Sequence, residues 1–180
     1  MVSPWILGAP VVVAIAGALV SVLWKALRLR ARHRRVFAAS LPELSASRER
    51  LVDAPRALYH GTGFADGAAL LVKAWSAECV GDLFCTEEAL FLQREEQGAL
   101  LVIPLAWVTE VALVRGHAPL AGKELPMLRL RWSRGGEALA SNFSLRGGMA
   151  SLERLRREIH LRQANVRAQL QPFFDQAPRP

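Results

Sequence analysis

MLRLRWSRGGEALASNFSL, residues 127–145, is the stretch that decides the fold. Its first half alternates strictly. Leu128, Leu130 and Trp132 fall on one face, and Arg129 and Arg131 on the other. A period of two is the mark of a half-buried strand. Gly135-Gly136 follows at once, and a pair of residues tolerant of positive φ between two such runs signals a tight hairpin. The returning run sets Leu139, Phe143 and Leu145 on one face. These residues therefore predict an antiparallel hairpin with one dry face and one wet, Arg-bearing face.

Upstream, the same pattern recurs in short pieces. ALYHG (57–61), LFCT (83–86), ALFLQRE (89–95) and ALLVIPL (99–105) read as strands, the last ended or pushed to an edge by Pro104. WVTEVALVR (107–115) is a further strand, with Thr109, Val111 and Leu113 assigned to one face. Residues 68–76 fit strand or helix, and HAPLAGKELP (117–126) reads as a loop. Downstream of Gly147-Gly148 the period changes. In residues 149–170, Met149, Leu152, Leu155 and Ile159 recur at helical spacing opposite an Arg-rich face. The remainder, with three prolines after Gln171, is expected to fray. A series of antiparallel strands followed by one amphipathic helix predicts a curled sheet whose open end the helix covers.

The N-terminus is of another kind. WILGAPVVVAIAGALVSVLW (5–24) is uncharged, with Trp at each end. A hydrocarbon core of about 30 Å needs roughly 20 apolar residues in a helix, and Trp favours the interface. Lys25, Arg28, Arg30, Arg32, Arg34 and Arg35 follow, and the first acidic residue is Glu43. A cleaved signal peptide would carry its charge before the run and small residues at its end. Here the order is reversed, so an uncleaved single-pass anchor is expected. The basic flank stays on the cytoplasmic side, so the N-terminus is expected outside and the rest inside the inner membrane. The six basic residues are assigned as topology and lipid-headgroup contacts. The helix is expected to continue to about residue 38. Small residues four apart, Ala14 with Ala18 and Gly17 with Ser21, would allow a homodimer through this helix. The division is an anchor at 1–27, a basic segment and linker at 28–55, a domain at 56–165 and a tail at 166–180.

The net charge of +7 in 180 residues suits a nucleic-acid binder at first sight. Much of the excess sits beside the apolar run, however, and basic residues interleaved with aromatics are missing. Nucleic acid is therefore not an expected partner. Cys79 and Cys85 are the only cysteines and lack the His partners of a zinc site, so no metal and no cofactor is expected. Gly61-Thr62-Gly63 lacks the further Gly and Lys of a phosphate loop. No Ser or Cys has an evident His and acid in sequence. On the last helix, Arg154, Arg157 and Arg162, with Arg156, would suit an acidic partner or the leaflet, against the simpler reading of a solvated face.

The stretch GDLFCTEEALFLQREEQGALLVIPLAWVTEV (81–111), the run LAGKELPMLRLRWSRGG (120–136) and the opening YHGT (59–62) together resemble membrane-anchored bacterial pleckstrin-homology-like (PH-like) domains. The resemblance spans roughly residues 56–165. It implies a bent antiparallel sheet of seven strands capped by a C-terminal helix, behind one N-terminal transmembrane helix, and it brings no catalytic residues. Lipid-binding members cluster Lys and Arg between the first two strands. The matching GTGFADGAALLVKAW (61–75) offers Lys73 and carries Asp66, which argues against phosphoinositide binding.

A second likeness points elsewhere. Tyr59-His60-Gly61-Thr62 is similar to the His-Gly-Thr strand of ADP-ribosyltransferases, which would give His60 an NAD ribose, Phe84 the nicotinamide, and Glu110 or Glu137 the catalytic role. The expected function is a non-catalytic binding or scaffolding module at the inner membrane face, with a protein partner. An anionic-lipid sensor, or less readily an NAD-dependent transferase, is the alternative.

Overall fold

The computed structural model describes the backbone of residues 4–39, 49–68, 70, 75, 77–94, 100–118 and 121–175, and the side chains of these except 4–13, 100 and 166–175. One long helix, α1 (Pro4–Ala38), precedes seven strands: β1 (Val52–Phe64), β2 (Cys79–Cys85), β3 (Ala89–Gln93), β4 (Leu100–Pro104), β5 (Val108–Ala118), β6 (Lys123–Arg134) and β7 (Glu137–Ser144). A 3-10 turn, Leu105–Trp107, joins β4 to β5, and the C-terminal helix α2 spans Gly148–Asp175. The strands form one antiparallel sheet in the order β4-β3-β2-β1-β7-β6-β5. Two meanders, β1 to β4 and β5 to β7, thus meet where β1 pairs with β7.

The deciding hairpin forms as its alternation demands. Leu128, Leu130, Trp132, Leu139 and Phe143 are fully buried, while Arg129 and Arg131 face out. Gly135 and Gly136 both have positive φ, +59° and +75°, the pairing a two-residue turn of this hand requires. On α2, Leu152, Leu155 and Ile159 are wholly buried against the sheet. The edges β4 and β5 do not pair with each other, and α2 packs on β5, β6, β2 and the 3-10 turn that joins the two edges. One turn beyond Ile159, the buried Gln163 donates its amide to Val108 O at 2.7 Å, satisfying a carbonyl beside the 3-10 turn.

Ser141 sits between Leu139 and Phe143 on the inner face, and it is paired rather than stranded. Trp132 Nε1 donates to Ser141 Oγ at 3.0 Å, Ser141 Oγ meets Thr62 Oγ1 at 2.6 Å, and Thr62 Oγ1 meets the Tyr59 hydroxyl. Tyr59 OH reaches Trp75 O at 2.6 Å. This buried polar chain crosses from β6 through β7 to β1 and fixes their register. Burial pushes the Tyr59 phenol well above its ordinary range. Tyr59 is the chain's single tyrosine, so phenolate absorbance reports it alone. A raised folded pKa means stability that is complete below the ordinary value of about 10 and is lost as pH rises beyond it. Spectrophotometric titration of the folded protein should therefore show no phenolate near pH 10, and phenolate should appear together with unfolding.

Several expectations need correcting. Thr109 is exposed, because a bulge between Val108 and Glu110 turns Val108 and Val111 inward instead. Met149 is 44% exposed and does not join the apolar stripe. Residues 117–126 are not a plain loop: β5 runs to Ala118 and β6 starts at Lys123, with Gly122 at φ +63° in the turn. α2 continues to Asp175, into the segment after Gln171 expected to fray. β1 starts at Val52, inside the expected linker. Residues 69, 71–74 and 76, including Lys73, lie outside the described residues, as does most of the linker.

α1 is unbroken from Pro4 to Ala38, as expected for the basic segment. Among the described residues no helix is long and apolar enough to cross a membrane. The span expected over 5–24 includes 5–13, whose side chains lie outside the described set.

Candidate binding cleft and helix junction

A cleft of about 410 Å³ opens on the outer face of the sheet where β1, β7 and β6 run side by side. Its origin is a bulge in β1. Tyr59 pairs with Phe143 and Thr62 with Ser141, so His60 and Gly61 together face the single residue Asn142. Gly61 takes φ +95° to make this step, a conformation that suits glycine. Gly63 pairs with Ala140, and the floor there carries almost no side chain. Arg129 and Arg131 line one wall from β6. Ala65, Ala68 and Leu70 contribute the other.

The polar groups are held in place. Arg129 Nε donates to Asn142 Oδ1 at 3.0 Å, and Arg131 Nη1 to Glu110 Oε2 at 3.0 Å. His60 is nearly enclosed, its Nδ1 at 2.9 Å from Glu78 Oε1 and its Nε2 at 2.9 Å from Ser144 Oγ. Glu78, His60 and Ser144 stand in the order of an orienting acid, a base and a nucleophile. Ser144, however, is 6% exposed and its hydroxyl donates to Pro126 O at 2.9 Å. The line works as a polar strap joining β1, β7 and β6. Sequence reading missed it because the three residues come from separate parts of the chain.

A second feature is the junction of α1 with the domain. Val36 is fully buried, and Leu29 packs on the same core. Arg32 Nε donates to Glu137 Oε2 at 2.8 Å and its Nη1 to Asp66 Oδ2 at 2.7 Å. Arg35 Nη2 lies 2.5 Å from Glu137 Oε1. His33 meets Phe64 edge-on, and Phe37 meets Trp75, at 5.3 and 5.2 Å. From the hairpin, the buried Arg134 lies over Trp75 and donates Nη2 to Ala39 O at 2.9 Å. Glu137 is itself buried, so two guanidiniums are what make its charge tolerable there. The hydrogen bond from Arg32 holds the Asp66 carboxyl below its ordinary value. That contribution is present at neutral pH and fades as pH falls through the lowered pKa. Asp66 is 57% exposed, so solvent keeps it small.

The six basic residues thus divide. Arg32 and Arg35 are committed to Glu137. Lys25, Arg30 and Arg34 are exposed, and Arg28 stacks on Trp24 at 5.3 Å. On α2, Arg154 and Arg157 are exposed, whereas Arg162 pairs with Glu158 at 2.8 Å. Arg154 also lines a depression of about 240 Å³ with Arg56, Arg146 and Ser151. Of the residues suggested for NAD, His60 alone lines the β1–β7–β6 cleft. Phe84 is buried in a stack on Phe91 at 5.1 Å, Glu110 pairs with Arg131, and Glu137 is held by α1. Cys85 is buried, and burial pushes its thiol up to about 12. Among the described residues no cluster of His, Cys, Asp and Glu could hold a metal ion.

Neither a scan against protein-family models nor a search of curated proteins finds a match to this chain.

Proposed function

We propose that this protein is a single-pass, membrane-anchored PH-like domain that acts as a non-catalytic binding or scaffolding module at the inner face of the membrane. The observation that carries this reading is the apolar part of α1. Ile15, Leu19, Val20, Val22, Leu23 and Trp24 are all more than half exposed. Large apolar side chains displayed around a helix in this way call for a nonaqueous covering. The same helix then becomes basic and docks on the β6–β7 hairpin without a break. A bilayer around residues 5–24 would cover the apolar stretch and leave Lys25, Arg28, Arg30 and Arg34 at the headgroups.

The PH-like assignment is supported by the strand order, the β1–β7 junction and the C-terminal helix packed on β5, β6, β2 and the 3-10 turn. The docked helix would hold the domain at a fixed distance and orientation, so that the β1–β7–β6 cleft meets partners near the leaflet. Small residues at 14, 17, 18 and 21 offer a face for a second copy.

Cross-linking mass spectrometry on the intact protein in native membranes tests the binding role, with a control lacking residues 56–165. Partner cross-links from residues rimming the cleft are the expected outcome. Partner cross-links that come from residues outside the cleft, or that the control lacking the domain retains in full, would refute it.

A further inference from the structure

We infer that the β1–β7–β6 cleft is an anion site whose ligand is a phosphate ester, an inference that rests on reading this cleft as the domain's binding surface. Among the described residues its lining contains two arginines, a histidine and an asparagine, and no aspartate or glutamate. Arg129 uses only Nε among the described residues, on Asn142, which leaves its two terminal nitrogens as donors. The same bond consumes the Asn142 carbonyl oxygen and leaves its amide NH₂ to donate. Arg131 uses Nη1 on Glu110, which stands outside the lining, and keeps its remaining donors. The cleft is therefore rich in donors and poor in acceptors.

The spacing suits one tetrahedral group. Arg129 and Arg131 are two apart on one face of β6, roughly 7 Å between their Cα atoms. Two long guanidinium forks at that separation can converge on a single phosphate, and planar forks match its oxygens in pairs. A phosphate monoester presents three terminal oxygens and nearly two negative charges. A carboxylate presents two oxygens and one charge, and would leave donors unmet. The bare floor at Gly61, Gly63 and Ala140 lets the group approach the backbone. A volume of about 410 Å³ exceeds what phosphate alone fills, so the ester's body has room against Ala65, Ala68 and Leu70.

The test uses the full chain in neutral detergent micelles, titrated calorimetrically with phenyl phosphate and with benzyl alcohol as a neutral control. Phenyl phosphate is expected to bind and benzyl alcohol not to. Arg129→Ala should weaken binding by roughly tenfold or more. Ala140→Asp, which sets a carboxylate on the floor in register with Arg131, should abolish it; both variants should keep the wild-type unfolding midpoint. Adding nanodiscs that contain phosphatidate separates two sources of the same chemistry. Competition with phenyl phosphate would assign the ester to a lipid headgroup, and unchanged binding would assign it to a soluble ester. Absence of binding to phenyl phosphate and phosphatidate alike would overturn the inference, as would binding that both variants leave unchanged. Because the titration is done in micelles, its failure would leave the membrane anchorage to be judged on its own test.

Discussion

Trp132→Ala is expected to destabilise the domain by roughly 3–5 kcal/mol, the range for removing a large aromatic from a packed core. Trp132 is wholly buried near the C-terminal end of β6. It packs on Trp75 at 5.9 Å between ring centroids, and its Nε1 donates to Ser141 Oγ. Alanine there leaves a cavity and removes the donor that begins the Trp132–Ser141–Thr62–Tyr59 chain. The three remaining hydroxyls must then share fewer partners while still buried. Against a total stability of about 5–15 kcal/mol, that loss is a large fraction. Urea unfolding of the full chain in detergent, followed by tryptophan fluorescence, measures it. Ser133→Ala, on the exposed face next door, should stay within about 0.5 kcal/mol of wild type. If the two variants unfolded at the same urea concentration, this description of the core would be wrong.

The second large effect is expected at the helix junction. A Cβ added at Gly135 would lie 2.2 Å from Arg35 O and 2.7 Å from Arg35 C. These are backbone atoms of α1 and cannot swing aside as a side chain can. Gly135 also has φ +59°, which a residue with a Cβ adopts at a cost of about 1–3 kcal/mol. Gly135→Ala should therefore push the end of α1 off the hairpin. Val36 would lose its burial, and Glu137 would lose Arg32 and Arg35. Spin labels at residues 34 and 138, both exposed, report this directly. A Cys79→Ser background suffices, since Cys85 is buried with its thiol held protonated. The wild-type distance distribution should be narrow and that of Gly135→Ala broad. Gly136→Ala is the control: its φ is also positive, at +75°, but its added Cβ meets nothing within 4 Å. It should keep the narrow distribution.

The contrast between these neighbouring glycines shows where sequence reading stops. That the pair makes a hairpin was legible, because both must adopt positive φ. That Gly135 is also the seat for α1 was not, because the contact joins residues a hundred apart in the chain. The inner faces of β6 and β7 and the stripe of α2 were legible for a similar reason: period and burial coincide there. Thr109 was misassigned because one bulge shifts the alternation, and bulges leave no mark in a period of two. Arg129 and Arg131 were read correctly as outward. Their convergence with Asn142 over a bare floor depends on the β1 bulge and on β1 pairing with β7, neither of which local pattern encodes. The basic run after Trp24 is the subtlest case. Its charge pattern reads as six equivalent headgroup contacts, yet Glu137 and Asp66, distant in sequence, draw Arg32 and Arg35 into the domain.

The anchorage of the domain is the claim on which the proposed function stands, and alkaline carbonate extraction of native membranes followed by protease protection tests it most directly. The protein should remain in the membrane pellet after extraction, and its C-terminal domain should be digested only when the inner face of the membrane is open to the protease. Release into the supernatant, or digestion of the domain from the outer face, would contradict the account.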